Sequence, residues 1–194
     1  AIAVGATMAL ARRFSASRFG DDIRRYGVTY MNYVGKPLAY ILDTPPRPDD
    51  ADTTLRAAFG NEAAAKDIPA FAERFGCRVW DAYGSTELAI IITRTENSPL
   101  ESIGEPFPGV AVYDPVTGQE CPRAIVDDDG AVTNLDACVG ELVNTDGAGF
   151  FAGYYNDDHA TSDRMRNGMY WSGDLAYRDA DGYVYMAGRS GDWL

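Results

Sequence analysis

Histidine, cysteine and long hydrophobic stretches are all scarce in this sequence of 194 residues. His159 is the single histidine and no G-x-S-x-G motif occurs, so the sequence does not support a serine hydrolase triad. The three cysteines are odd in number and widely spaced, and they form neither a disulfide framework nor a zinc pattern. This cysteine usage favours a reducing, intracellular setting, and no apolar stretch reaches membrane-spanning length.

Basic residues are also in deficit, because 17 Lys and Arg face 29 Asp and Glu, for a net charge of −12. A surface this acidic argues against nonspecific binding to nucleic acid or to anionic membrane, since both need a basic surface. We therefore expect no nucleic-acid partner and a cytoplasmic location. Any peripheral contact with the inner face of a membrane is expected through parts of the protein outside this chain. The abrupt first and last residues lead us to expect a fragment of a longer protein.

Strand and helix signals alternate in the first half of the chain. A first helix is predicted with Phe19, Ile23 and Tyr26 on one face, and it ends at Gly27. Residues 28–34, 55–59 and 78–82 are predicted strands, and further helices are predicted around 35–42 and over 63–75, the latter ended by Gly76. This alternation predicts an α/β subdomain with a parallel sheet over residues 1–106. The helix pattern fades after about residue 100, and short strands separated by turns predict a small antiparallel β subdomain over residues 107–190. The predicted strands of this subdomain are 110–113, 140–143, 170–171, 174–177 and 183–186.

The sequence Asp179-Ala180-Asp181-Gly182 has two interpretations. The pattern D-x-D-G can begin a calcium loop, but Ser190 occupies the twelfth position, where such a loop needs an acidic residue. The flanking alternation of apolar and polar residues favours a hairpin with Asp-Gly at its tip.

The stretch YGSTE (residues 83–87) follows the predicted strand RVWDA. In a parallel sheet, ligands bind beyond the carboxyl ends of the strands. Gly84 permits close backbone approach, Ser85 and Thr86 offer hydroxyl groups, and Glu87 offers a hard oxygen ligand. The alternative is a helix start that uses Ser85 or Thr86 as its cap.

Two later stretches have polar residues suited to a nucleotide. GELVNTDGAGFFAGYYND (140–157) is rich in glycine and aromatic residues, which is also typical of a loop pinned to a core. In the final 25 residues, Asp174 follows Ser172-Gly173 and could accept both hydroxyls of a ribose, and Arg189 suits a phosphate or ribose oxygen. The alternatives are a turn residue for Asp174 and a surface ion pair for Arg189.

The order YGSTE, GELV…GYYN, SGDLAYRDADGYVYMAGRSGD resembles the adenylate-forming superfamily of acyl-CoA synthetases, nonribosomal adenylation domains and luciferases. The resemblance extends from about residue 55 to the end. The earlier segment RRFSASRFGDDIRRYGVTYMNYVGKPLAYILDTPPRPDD is similar to the branch of very-long-chain acyl-CoA synthetases and fatty acid transport proteins, including actinobacterial fatty-acid–CoA ligases.

This resemblance implies roles for particular residues. Tyr83 would lie against adenine, Thr86 would contact the α-phosphate and Glu87 would hold Mg²⁺. Asp174 would bind the ribose hydroxyls and Arg189 would contact ribose or phosphate oxygens. The nucleotide-binding set implied by the resemblance comprises Gly60, Asn61, Glu62, Tyr83, Gly84, Ser85, Thr86, Asp174 and Arg189.

The implied reaction converts a fatty acid and ATP to acyl-AMP, and CoA then displaces AMP. The resemblance places the family's phosphate loop upstream of the matched region, and its small C-terminal domain beyond a hinge near Gly191. We therefore expect these 194 residues alone not to form acyl-AMP. The alternatives are an enzyme that loads a carrier protein, and a non-catalytic nucleotide- or lipid-binding module.

Overall fold

The structure is a computed structural model that describes residues 2–95 and 97–189. The described residues fall into two units that meet between Asp81 and Ala82. Strand β3 (Arg78–Gly84) continues through this point, with its first residues paired in the first unit and its last in the second. The subdomain boundary after residue 106 stays a prediction, and the predicted hinge near Gly191 lies outside the described residues.

The first unit joins parallel strands to helices, as the alternating sequence pattern predicts. Strand β2 pairs in parallel with both β1 and β3. Its elements before β3 are two 3-10 turns (Ile2–Val4 and Ala16–Arg18), α1 (Phe19–Tyr26), β1 (Tyr30–Val34), α2 (Pro37–Leu42), β2 (Ala57–Asn61) and α3 (Asp67–Phe75).

Two boundaries differ from the prediction for identifiable reasons. Strand β2 lies two residues later than expected, because its register on β1 pairs Tyr30 with Ala57 and Val34 with Asn61. Helix α3 begins four residues later than expected. Its start at Asp67 keeps Pro69 in the first turn, where proline is tolerated, instead of in the helix interior.

The core of the first unit lies between the helices and one face of the sheet. Phe71 and Phe75 of α3 are almost fully buried, with ring centroids 4.6 Å apart, and Phe19 of α1 packs edge-on against Phe75. The buried residues of this core are Ile23, Tyr33, Leu38, Ile41, Leu55, Ala58, Phe71 and Phe75.

The second unit is built from antiparallel strands. The end of β3 pairs with β4, which pairs with β5, and a second sheet has the order β10-β9-β7-β6, with β8 paired to β9. Its elements after β3 are β4 (Ile91–Thr93), β5 (Glu105–Pro106), β6 (Val110–Tyr113), α4 (Leu135–Cys138), β7 (Gly140–Asn144), α5 (Asp158–Arg164), β8 (Met165–Arg166), β9 (Met169–Arg178) and β10 (Val184–Arg189). The predicted class, parallel α/β followed by antiparallel β, is confirmed, with β4 making the strand pairing around β3 mixed.

Asp179 closes the hairpin between β9 and β10, as the Asp-Gly pattern predicts. Its backbone N–H donates to Tyr183 O at 3.0 Å. Asp179 Oδ1 accepts from the Tyr183 N–H at 2.9 Å, and Oδ2 accepts from the Tyr185 hydroxyl at 3.1 Å. Both carboxylate oxygens therefore stabilise the hairpin.

The described helices are all too short or too polar to cross a membrane.

Candidate nucleotide site

The YGSTE stretch spans the end of β3 and the start of the turn that leads to the antiparallel strand β4. Gly84 ends β3, and the Leu88 N–H donates to Ser85 O at 3.0 Å. No helix begins here in the described structure, so the helix-cap interpretation is wrong. The turn leaves Leu88 at φ +52, in the left-handed region that residues with a Cβ rarely adopt. Such strained positions concentrate at functional sites.

The hydroxyl groups of this turn have different surroundings. Ser85 Oγ is buried close to Glu87 and Tyr170 but makes no hydrogen bond of normal geometry among the described residues, whereas Thr86 is exposed. Most buried polar atoms in proteins are fully paired, so this weakly held hydroxyl at a turn is suited to a ligand oxygen. Thr86 and Glu87 also border a cavity of about 260 Å³ whose other wall is residues 150–154.

Glu87 is held by a tyrosine from the glycine-rich stretch. The Tyr154 hydroxyl donates to Glu87 Oε1 at 2.7 Å. This hydrogen bond holds the pKa of Glu87 below its ordinary value, and the positive charge of Arg164 acts in the same direction. Conversely, the carboxylate raises the pKa of Tyr154. Glu87 is therefore kept as a carboxylate in a fixed position.

Tyr154 is itself anchored on both its backbone and its ring. Its N–H donates to Thr161 Oγ1 at 2.9 Å, in the first turns of α5. Its ring lies edge-on to Phe151 at 5.0 Å, and Phe151 packs in the same way on the buried ring of Tyr170 at 5.4 Å. The aromatic residues of the glycine-rich stretch thus connect Glu87 to the core, as the loop interpretation predicts in part.

Asp174 receives two donors from distant parts of the chain. Arg189 Nε donates to Asp174 Oδ1 at 2.8 Å, and the Tyr83 hydroxyl donates to Oδ2. The Asp174 side chain is 10% exposed, and that of Arg189 is 70% exposed. Burial raises the pKa of Tyr83, and its hydrogen bond to Asp174 raises it further.

Asp174 lies within a continuous strand, so the interpretation of it as a turn residue is wrong. The sequence predicts separate strands at 170–171 and 174–177, and the structure joins them as β9. A bulge at Ser172-Gly173 permits this, because it changes the register of β9 on β7. The predicted ion pair of Arg189 is present, and its partner is the proposed ribose ligand.

Gly60, Asn61 and Glu62 lie at the carboxyl end of β2 in the first unit. A Cβ on Gly60 would be 2.2 Å from Tyr33 O, so only glycine fits between these strands. Glu62 has φ +66, a second left-handed residue with a side chain. Their relation to the residues of the second unit stays a prediction.

Sequence reasoning did not identify Tyr154 and Glu141 as residues that support the site. Glu141 is a buried carboxylate of the quoted GELV segment, and it accepts a hydrogen bond from the bulge before Asp174. The available signals were an acidic residue inside an otherwise apolar strand and a tyrosine at the end of a glycine-rich loop.

Comparison with known proteins assigns the family of this chain. Residues 1–155 match the family model of the AMP-binding enzymes. The chain therefore belongs to the AMP-binding enzyme family, and the resemblance to adenylate-forming enzymes is confirmed.

Particular relatives narrow the comparison. The chain is 54% identical over 194 residues to the medium/long-chain-fatty-acid–CoA ligase FadD17 of Mycobacterium marinum, covering all of this chain and 36% of that protein. It is 46% identical over 195 residues to the steroid-22-oyl-CoA synthetase of Rhodococcus jostii, covering all of this chain and 35% of that protein. The chain thus spans about a third of the length of these actinobacterial relatives.

A solved structure shares the fold. The benzoate CoA ligase from Burkholderia xenovorans LB400 superimposes with a TM-score of 0.74 at 23% identity, over 95% of this chain and 36% of that one. At this identity the likeness shows the fold alone.

Proposed function

We propose that these residues form part of the site of an ATP-dependent fatty-acid–CoA ligase, which makes acyl-AMP and transfers the acyl group to CoA. The observation that carries the proposal is the meeting of Tyr83 and Arg189 on the buried carboxylate of Asp174. Tyr83 is 91 positions from Asp174 in the sequence, so the fold assembles this group. The CoA ligase and CoA synthetase relatives support the same class of reaction.

Asp174 is the proposed ribose ligand. A carboxylate offers about four lone-pair sites, so the bonds from Tyr83 and Arg189 leave capacity for two ribose hydroxyls. In this role Tyr83 would have its ring against adenine while its hydroxyl fixes Asp174. Arg189 is largely exposed and could turn from Asp174 toward a ribose or phosphate oxygen.

The YGSTE turn is the proposed α-phosphate site. The hydroxyl groups of Ser85 and of the exposed Thr86 would donate to phosphate oxygens. A cavity of about 260 Å³ is smaller than most small-molecule pockets, which start at about 300 Å³, and it suits part of a ligand. Gly60-Asn61-Glu62 would line the adenine edge.

Glu87 is the proposed protein ligand of Mg²⁺. Within residues 2–95 and 97–189 no group of three or more metal-binding side chains occurs. The single carboxylate of Glu87 fits magnesium, because that ion is commonly held by one or two carboxylates together with substrate phosphates. The ion would neutralise phosphate charge, and Glu87, anchored by Tyr154, would fix its place.

The residues present suit a reaction that needs alignment more than proton transfer. A fatty acid is already ionised at neutral pH, so its carboxylate oxygen attacks the α-phosphorus without a general base, and pyrophosphate leaves. The thiol sulfur of CoA then attacks the acyl carbon, and AMP leaves. The protein must align the reactants and neutralise charge on the phosphate.

The substrate class follows from the relatives and the resemblance. We propose a medium-, long- or very-long-chain fatty acid, with ATP and CoA as co-substrates. We also propose that the protein works in the cytoplasm, with any membrane contact made through parts outside these residues.

The test uses the full-length polypeptide that contains this chain. It receives ATP, Mg²⁺ and palmitate, with and without CoA, and the products are resolved by mass spectrometry. Acyl-AMP without CoA and palmitoyl-CoA with CoA are expected. If the acyl group of acyl-AMP passed only to a carrier protein, that protein would replace CoA as the proposed acceptor. No AMP release with any of several fatty acids would overturn the ligase proposal.

A further inference from the structure

Asp174 is the last residue of a three-residue bulge on β9. On β7, Glu141 pairs with Leu175 of β9 and Val143 pairs with Trp171. Leu142 alone therefore faces the segment Ser172–Asp174. Such a bulge bends the strand and re-aims the side chains that follow it.

The bulge contains a left-handed backbone conformation, which hydrogen bonds from neighbouring groups stabilise. Gly173 has φ +80, and a Cβ there would lie 2.7 Å from Arg164 Nη1. Ser172 Oγ donates to Leu142 O at 2.9 Å and accepts from the Asp174 N–H at 3.0 Å. These bonds hold the two ends of the bulge but leave the Gly173 N–H to another acceptor.

Glu141 supplies that acceptor. Its Oε1 accepts from the Gly173 N–H at 2.6 Å, and its Oε2 accepts from Arg166 Nη2 at 2.8 Å. The Glu141 side chain is 6% exposed. Arg166 in turn lies 4.0 Å above the ring of Trp171, on the strand that carries the bulge. A charge-assisted bond to a buried carboxylate is about twice as strong as a neutral one.

We propose that Glu141 is a positioning residue for the ribose ligand, acting through the Gly173 N–H to hold the bulge that presents Asp174. This inference rests on the proposed role of Asp174. It assigns to the GELV segment a part in nucleotide recognition, in addition to its part in the sheet.

The geometry separates this role from that of an ordinary ion pair, here between the buried Glu141 and Arg166, whose side chain is 41% exposed. Replacing a buried ion pair as a whole by apolar residues is often neutral for stability, because the desolvation cost disappears with the charges. The contact with the Gly173 N–H has no such replacement, since Arg166 engages only the other carboxylate oxygen. Removing both charges together should thus spare the fold and loosen the bulge.

The test compares ATP with 2′,3′-dideoxy-ATP as ligands of the full-length polypeptide, by calorimetry and by KM. The wild-type protein should prefer ATP by about 10- to 100-fold, since both ribose hydroxyls would bond to a charged group. The double variant Glu141→Met with Arg166→Met should lose most of this preference, to within about threefold. Its affinity for dideoxy-ATP and its KM for the fatty acid should be unchanged.

A milder variant keeps the test decisive if the double variant does not fold. Glu141→Gln retains one acceptor oxygen without charge and should show an intermediate preference. Glu120→Gln is the matched control, because Glu120 also faces an arginine, Arg178 at 3.5 Å, but its side chain is half exposed and strands β6 and β7 separate it from the bulge on β9. It should keep the full preference.

A folded Glu141 variant with the wild-type preference for ATP would overturn the inference. So would an equal loss of affinity for both nucleotides, which is the result of a purely structural role. A wild-type protein that forms acyl-AMP but does not distinguish the nucleotides would overturn it while leaving the ligase proposal intact. A wild-type protein that forms no acyl-AMP with any acid would instead remove the ligase proposal, and the calorimetric preference would still decide the role of Glu141.

Discussion

The two units of this chain stabilise their backbones in different ways. In the first, regular parallel strands and helices bury a continuous apolar core, in which three phenylalanine rings of α1 and α3 pack against one another in tilted and edge-on contacts. In the second, two of the antiparallel strands carry bulges, and Asp174 in one of them is bonded to Arg189 beyond the other. Most of the residues proposed to bind nucleotide lie in the second unit.

The difference shows where a fold has room for polar chemistry. A regular strand is pleated, so successive side chains point to opposite faces of the sheet. Bulges break that alternation. Asp174 lies in one on β9, and Arg189 follows another between Met186 and Gly188 of β10, which brings the two residues into register. The ion pair of the site is thus a product of two irregularities.

Phe71→Ala tests the apolar half of this comparison and should have the largest effect. Phe71 is fully buried, so truncation should cost about 3–5 kcal/mol of unfolding free energy through lost transfer and a residual cavity. Urea denaturation would measure it. Phe150→Ala is the control, since Phe150 is 79% exposed and should change stability by less than about 0.5 kcal/mol. Equal effects from both changes would contradict the assigned core.

Asp50→Asn tests the polar part of the first unit. Burial alone would raise the pKa of Asp50, but bonds from the Arg47 N–H and from Arg74, at 2.7 Å, lower it instead. Losing this partner of a buried pair should cost about 3 kcal/mol at pH 7.

The pH dependence of the same variant has a definite sign. Because the folded pKa of Asp50 is depressed, its contribution is complete above the unfolded value of about 3.9 and is lost as pH falls through the folded pKa. The stability difference between wild type and Asp50→Asn should therefore be constant near neutrality and shrink below about pH 4. A difference that stays constant to pH 2 would argue against an ionised Asp50.

Glu87→Gln tests the polar half of the comparison. Glutamine keeps the size of the side chain but removes the charge that Mg²⁺ requires, so acyl-AMP formation by the full-length polypeptide should fall by about 100-fold. Stability should change little. The control Glu101→Gln removes an exposed carboxylate elsewhere in the unit. If Glu87→Gln kept wild-type turnover at limiting Mg²⁺, Glu87 would lose its assigned role.

Local signals in the sequence were sufficient for much of the first unit. Gly27 and Gly76 end α1 and α3 in left-handed conformations, as glycine after an amphipathic stretch predicts. The error at the start of α3 came from extending the pattern past Pro69. These elements depend on neighbours in sequence, and such neighbours are visible in a single chain.

The site depended on contacts that no local pattern encodes. YGSTE is equally compatible with a helix cap and a turn, and the return strand β4 decides between them. The order of the motifs identified Tyr83 and Asp174 through a family resemblance, but their mutual hydrogen bond spans 91 positions. The bulge that joins two expected strands into β9 likewise requires the partner strand β7.

Tyr154→Phe should have the smallest effect of these changes. It tests how the packed aromatic residues of the second unit support its polar site. It removes one hydroxyl and keeps the ring that packs on Phe151, so the loop should stay in place. Glu87 would lose its anchor, and the Mg²⁺ concentration for half-maximal activity should rise about tenfold, as for other residues that orient metal ligands. Binding of Mn²⁺ with a non-hydrolysable ATP analogue, followed by electron paramagnetic resonance, gives a readout that does not depend on turnover.

The adjacent Tyr155 provides the matched control for this last change. Tyr155 is 93% exposed, so Tyr155→Phe removes the same hydroxyl from the same loop without touching Glu87. If only Tyr154→Phe raises the Mg²⁺ concentration for half-maximal activity, the hydrogen bond from Tyr154 to Glu87 connects the aromatic packing of the second unit to its proposed chemistry. If the two variants behave alike, the loop acts on Glu87 only through its packing. The Tyr154 hydroxyl would then have no part of its own in placing Glu87.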